Sequence, residues 1–170
     1  KSNAYQAYIQ CEKELKRQHS PVKDRDRDEA LRNVSTLLFS SMFSRLDQEA
    51  YSFSFMPNHG PGATTDRLIG NHKWRQLTWT SRLERSFPYV EYALPNARYV
   101  ADCLEEVEFL EPADEPPVKV VLVPKTMKSP RVIAIESTAM QYCQQSIRGS
   151  LYREVEIDPL WRDLFGFQDQ

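Results

Sequence analysis

Two prolines constrain this chain more than any other residues. Pro124 and Pro130 stand at the inner ends of two apolar runs in residues 118–136, VKVVLVPKTMKSPRVIAIE. Proline has no amide donor and restricts the residue before it, so no regular helix can pass through the connection. Residues 118–123 and 131–135 are therefore predicted as strands joined by a tight turn. Around that turn stand Lys119, Lys125, Lys128 and Arg131, with no acid from Pro116 through Ile135.

This cluster is not a by-product of overall charge. The formal net charge is -2, and residues 102–115 hold seven acids without a single Lys or Arg. On a turn, Lys125, Lys128 and Arg131 point outward and can converge on a multiply charged oxygen ligand, Lys as a mobile point charge and Arg as a planar fork for phosphate. The alternative is a solvated hairpin tip whose lysines discourage edge pairing.

With 170 residues, 41% apolar and 27% charged, the chain is the size of one globular domain. No apolar run reaches the roughly 18 residues of a membrane span, and Lys1 opens no signal-peptide pattern. Cys11, Cys103 and Cys143 are odd in number, far apart and without CxxC spacing, which disfavours a disulfide framework and a zinc site and suits a reducing cytoplasm. The absent initiator Met and the abrupt end at Gln170 lead us to expect a segment cut from a longer chain.

Periodicity supplies the remaining elements. Tyr5, Tyr8, Ile9 and Leu15 predict an amphipathic helix ending near Pro21. Asp26 and Glu29 have capping-box spacing, and Leu31, Val34, Leu38 and Met42 form one stripe that predicts a second helix buried on one side. The alternation of Tyr51, Phe53 and Phe55 predicts a short strand, and Asn96 a third helix carrying Tyr99, Val100, Cys103, Leu104 and Val107 before the Pro112 to Pro117 link. Ser137 is expected to cap a long final helix with Met140, Cys143 or Gln144, Ile147 and Leu151 on one side. The expected fold class is α+β, mostly helical with a central β-hairpin.

A second basic region follows His59-Gly-Pro-Gly62, whose glycines permit unusual φ angles and close backbone approach. It is no Walker loop, because the Gly-Lys-Ser/Thr ending is absent. Arg67, Lys73, Arg75, Arg82 and Arg85 are interleaved with Trp74 and Trp79. Aromatic faces beside cations suit single-stranded RNA, which makes Arg67, Lys73, Trp74 and Arg75 candidate RNA contacts, with Arg148 further along. Core packing of both indoles and a solvated helix face for Arg148 are the competing readings. His59 and His72 lack a second ligand at metal spacing and are expected to be ordinary hydrogen-bonded histidines.

The segment Lys128-Ser-Pro-Arg131-Val-Ile133 resembles the Lys-x-(x)-Arg-x-Ile pattern of motif F in viral RNA-dependent RNA polymerases. The longer VPKTMKSPRVIAIE resembles that motif in replicases of single-stranded RNA bacteriophages, the levivirus or Qβ-like family. PNHGPGATTDRLIGNHKW, RLERSFPYVEYALPN, AMQYCQQSIRGSLYREVEID and the terminal GFQDQ are similar to the same replicases and together cover most of residues 56–170 in the family's order. The N-terminal helices match only in general character.

That resemblance implies a right-hand polymerase of fingers, palm and thumb, with residues 1–56 an N-terminal helical region and 57–170 fingers that include motif F at 118–136. It implies that Lys125, Lys128 and Arg131 face the incoming nucleoside triphosphate and template, with Ile133 and Ile135 packing beneath. Glu136 would salt-bridge or orient a cation at the strand end. Mg²⁺ or Mn²⁺ would be held by palm residues outside this chain, so the segment alone is expected to be inactive. Viral RNA template, nascent RNA and nucleoside triphosphates are the implied partners, host elongation factors Tu and Ts and a ribosomal protein further ones, and the cytoplasm of an infected bacterium the implied location. Asp158 and Asp163 nearly mimic a catalytic Asp pair, but Pro159 and the continuing helix pattern argue against a strand there. The rival classes are a non-catalytic RNA-binding module and a protein-interaction domain using the acidic 102–115 face.

Overall fold

The computed structural model describes residues 2–18, 25–94, 104–124 and 130–165. In chain order the elements are α1 (Ser2–Gln18), α2 (Arg25–Tyr51), a 3-10 turn (Gly70–Trp74), β1 (Thr78–Thr80), α3 (Ser81–Glu84), α4 (Tyr89–Tyr92), β2 (Glu108–Leu110), β3 (Lys119–Pro124), β4 (Pro130–Ile135), α5 (Thr138–Ile157) and α6 (Pro159–Phe165). Helices dominate and the strands form two small sheets, so the chain is α+β. No described helix is long and apolar enough to cross a membrane. Two units are distinguished, residues 1–40 with 118–135 and residues 41–117 with 136–170.

In the first unit, β3 and β4 pair antiparallel from Lys119 opposite Ile135 to Pro124 opposite Pro130, with residues 125–129 outside the described residues. Each proline takes the last ladder position, where a missing donor interrupts pairing least. The hairpin expected from the sequence is therefore present, and α1 packs against β4. The stripe on α2 behaves otherwise. Leu31 and Val34 stay more than half exposed and Leu38 is 43% exposed, whereas Met42, in the second unit, is buried. A helical period places apolar residues on one face but supplies no surface to cover them.

The second unit holds the aromatic core: Leu46, Phe55, Trp79, Phe87, Tyr89, Tyr92, Ala139, Tyr142 and Cys143. Phe55 stacks on Phe87 at 5.6 Å, and Trp79 meets Tyr89 edge to face at 5.4 Å. Three polar tips in this core find backbone carbonyls: Trp79 Nε1 donates to Phe87 at 3.1 Å, Tyr89 Oη to Gln76 at 2.8 Å and Tyr142 Oη to Tyr92 at 2.9 Å. The rings of Trp79, Tyr89 and Tyr142 thus contribute apolar area without an unpaired hydroxyl or indole N–H.

Ser137 caps α5 as expected, its Oγ accepting from Met140 N at 3.4 Å. The buried face shares Cys143 with the expected one, and Leu151 packs partly against the core, but otherwise it comprises Thr138, Ala139, Tyr142, Ser146, Ser150, Glu154 and Val155, while Ile147 is exposed. Glu154 pairs with Arg45, and Glu49 accepts from Ser150 and Arg153, which fastens the last turns of α2 to α5.

Two further expectations are corrected. The 51–55 alternation forms no strand: Tyr51 ends α2, Phe53 has φ 51°, and Ser52 N and Ser54 N donate to the carbonyls of Gln48 and Glu49, both at 2.9 Å. The serines that produce the alternation satisfy orphan carbonyls at the helix end instead. Most of the third predicted helix, 95–103, lies outside the described residues. Its expected end is overrun by β2, which pairs parallel to β1 with Trp79 opposite Phe109.

Candidate functional site

The 59–74 segment has little regular structure, so its shape must come from side chains and from α5. Thr65 N donates to Glu136 O at 2.9 Å. Asp66 then takes the first amide of α5, Thr138 N to Oδ2 at 3.0 Å, and the Thr138 hydroxyl donates to Oδ1 at 2.7 Å. A carboxylate here meets an orphan amide and the positive end of the helix. Burial pushes the Asp66 carboxyl up, but hydrogen bonds from Thr64 and Thr138 outweigh it and hold the group below the usual carboxylate range.

Lys73 closes the loop from the other side. It is only 5% exposed, and Nζ donates to Gly60 O at 2.8 Å and Gly62 O at 2.7 Å. Gly62 also permits close approach, since a Cβ there would lie 3.3 Å from Gln141 Nε2. Positive φ in this segment falls at Arg67 and Gly70, at 59° and 53°, and not at Gly60 or Gly62. A cleft of about 560 Å³ opens between the loop and the 3-10 turn, lined by Pro61, Leu68, Ile69, Asn71, Lys73 and Trp74 among others.

His59 stacks on Tyr142 at 4.5 Å and meets Trp74 edge to face at 4.6 Å. It is not the hydrogen-bonded histidine expected: both ring nitrogens are enclosed, and neither has a hydrogen-bond partner among the described residues. Burial first, and the positive charge of Lys73 second, hold its pKa below the usual imidazole value. The ring is kept neutral. Cys143, behind this wall, is no nucleophile, because burial pushes its thiol up to about 12.

The sequence candidates divide sharply. Trp79 is wholly buried, whereas Trp74 is 58% exposed and lines the cleft. Lys73 is turned inward. Arg67 is exposed at φ 59°. Arg75 is exposed and pairs with Glu106 at 2.8 Å, while Arg82 pairs with Glu115. Arg148 is exposed, bonds Gln145 at 3.1 Å and lies over the Tyr152 ring. On β4, Arg131 is exposed opposite Val123, and Lys125 and Lys128 lie outside the described residues. Sequence reasoning missed Tyr142 and Gln141, which back the loop from α5; no local signal marks them.

Among the described residues no three His, Cys, Asp or Glu side chains gather as metal ligands. Asp158 and Asp163 do not fit a two-metal centre, since Asp158 Oδ1 accepts from Leu160 N at 2.9 Å at the junction of α5 and α6 while Asp163 meets Arg162. Compared with family models, curated proteins and solved structures, the chain finds no match in any of the three.

Proposed function

We propose that this chain is the N-terminal and fingers portion of an RNA-directed RNA polymerase of the single-stranded RNA bacteriophage type. The complete protein would copy the phage genome by template-directed nucleotidyl transfer, with host elongation factors and a ribosomal protein as further partners. The observation that carries this reading is the hairpin. Its register pairs Pro124 with Pro130 and Val123 with Arg131, leaving Arg131 exposed at the start of β4, in the sequence context that resembles motif F.

In that role Arg131, with Lys125 and Lys128, neutralises triphosphate oxygens and holds them for attack by the primer hydroxyl on the α-phosphate, with pyrophosphate leaving. Phosphoryl transfer depends on positioning and electrostatics more than on covalent chemistry by the protein. The catalytic metal chemistry is assigned to palm carboxylates outside these residues, and no step is routed through Asp158 or Asp163.

Steady-state kinetics of Arg131→Ala in the complete enzyme test the assignment. A charge-assisted hydrogen bond of about 1.5–3 kcal/mol predicts a roughly ten- to hundredfold loss of kcat/KM for nucleotide with template affinity unchanged. Unchanged nucleotide constants with lost template affinity move Arg131 to RNA binding. The parent reading frame separates the rival: a downstream Gly-Asp-Asp on a hairpin supports the polymerase, and its absence supports a non-catalytic RNA-binding module.

A further inference from the structure

Lys73 does more than hold a loop. A lysine carries three N–H donors, and the Gly60 and Gly62 carbonyls use two. Those carbonyls satisfy donors without cancelling charge, and no carboxylate pairs with Lys73 among the described residues. None of the residues lining the cleft is acidic either. A nearly buried ammonium without a counter-ion at the wall of a small cleft focuses positive potential into it. Beside it, Trp74, 58% exposed as a residue, lines the same cleft, and Leu68 and Ile69 add apolar surface while Asn71 offers a carboxamide. At about 560 Å³ the cleft falls in the usual small-ligand range of roughly 300–1,000 Å³.

We infer that the cleft between the 59–62 loop and the Gly70–Trp74 turn binds a nucleotide unit, its base laid on Trp74 and its phosphate drawn to Lys73. The aromatic ring, the unneutralised cation and the absence of acid in the lining point together to an aromatic anion. The choice of a nucleotide among aromatic anions rests on the RNA-handling reading above. Because His59 stays neutral, Lys73 supplies the positive charge of this wall alone.

Calorimetric titration of the 170-residue chain with AMP, adenosine, inorganic phosphate and a short single-stranded oligoadenylate tests the site. AMP and the oligomer are expected to bind saturably, and adenosine and phosphate each more weakly than AMP. Trp74→Ala should weaken AMP or oligomer binding roughly five- to hundredfold, the worth of one base stack. Lys73→Met should erase the preference for AMP over adenosine, with circular dichroism checking the fold. If that variant unfolds, the preference in the unmodified chain decides the phosphate role.

An oligomer that binds far more tightly than AMP identifies a strand as the source, and equal affinity identifies a free nucleotide. Equal binding of AMP and adenosine, an unaffected Trp74→Ala, or no saturable binding by either AMP or oligomer overturns the inference. Loss of nucleotide kinetics in Arg131→Ala is read on the hairpin of the complete enzyme, so failure of this site and failure of the polymerase reading are separately visible.

Discussion

The β3–β4 hairpin and the 59–79 segment treat similar residues in opposite ways. On the hairpin, Arg131 stands exposed and Val120 and Val123 remain 41% exposed on a sheet of only two strands. In the second region, Lys73 turns inward onto two carbonyls and Trp79 is completely enclosed. A basic, aromatic-rich run therefore has no fixed meaning in itself. Where local rules such as a proline pair set the backbone, cations stay outside; where the backbone is irregular, converging carbonyls can recruit one.

The contrast is tested most severely by truncating one apolar residue in each region. Trp79→Ala should cost about 3–5 kcal/mol of unfolding free energy, because it opens the core and strips Phe87 O of its donor, whereas Val120→Ala should cost well under half as much. Denaturant unfolding of both variants checks this. Equal losses would mean that the hairpin is as tightly integrated as the aromatic core.

A smaller effect is expected at the join between loop and helix. Asp66→Ala should lose about 1–2 kcal/mol at neutral pH, since it leaves the first amide of α5 without its partner. The carboxyl is held below its ordinary value of 3.8, so its contribution is full above that pH and lost as the pH falls through the lower folded value. Acid titration of stability should show that limb flattened in Asp66→Asn. An unchanged limb would detach Asp66 from α5.

The smallest change sharpens the picture of the cleft wall. His59→Phe replaces two unpartnered nitrogens with a ring of similar shape, and stability at neutral pH should move by no more than about 1 kcal/mol. Because the native imidazole is held below its ordinary 6.5, the unfolded chain takes the proton first, so stability is full above 6.5 and falls as the pH drops through the folded value. Thermal melts between pH 7 and 5 (roughly the His window) should show that decline only with His59 present. A decline of equal size in His59→Phe would place the acid sensitivity elsewhere.

The hairpin and the capped start of α5 were legible because their signals are local: prolines at fixed places, a serine before an apolar period. The parallel pairing of β1 with β2 was not, since three-residue strands far apart in sequence carry no period long enough to read. The 51–55 alternation misled because serines that end a helix and apolar residues that follow it mimic a strand. Periodicity also chose a stripe on α2 without indicating that Leu31 and Val34 would stay more than half exposed. For the site, the loop and its cations were visible in the sequence. Which indole is buried, and that Lys73 faces inward, depends on Tyr142, Gln141 and the aromatic core, which only the fold brings together.

The Lys73 clamp divides the burden of heredity unevenly. Its acceptors are main-chain oxygens, which every amino acid carries, so coding changes at the acceptor positions alter only how closely α5 is approached and leave the carbonyls themselves in place. The donor is one side chain. Drift along the loop can thus proceed while its course is kept, provided a single codon continues to specify an amine of that reach.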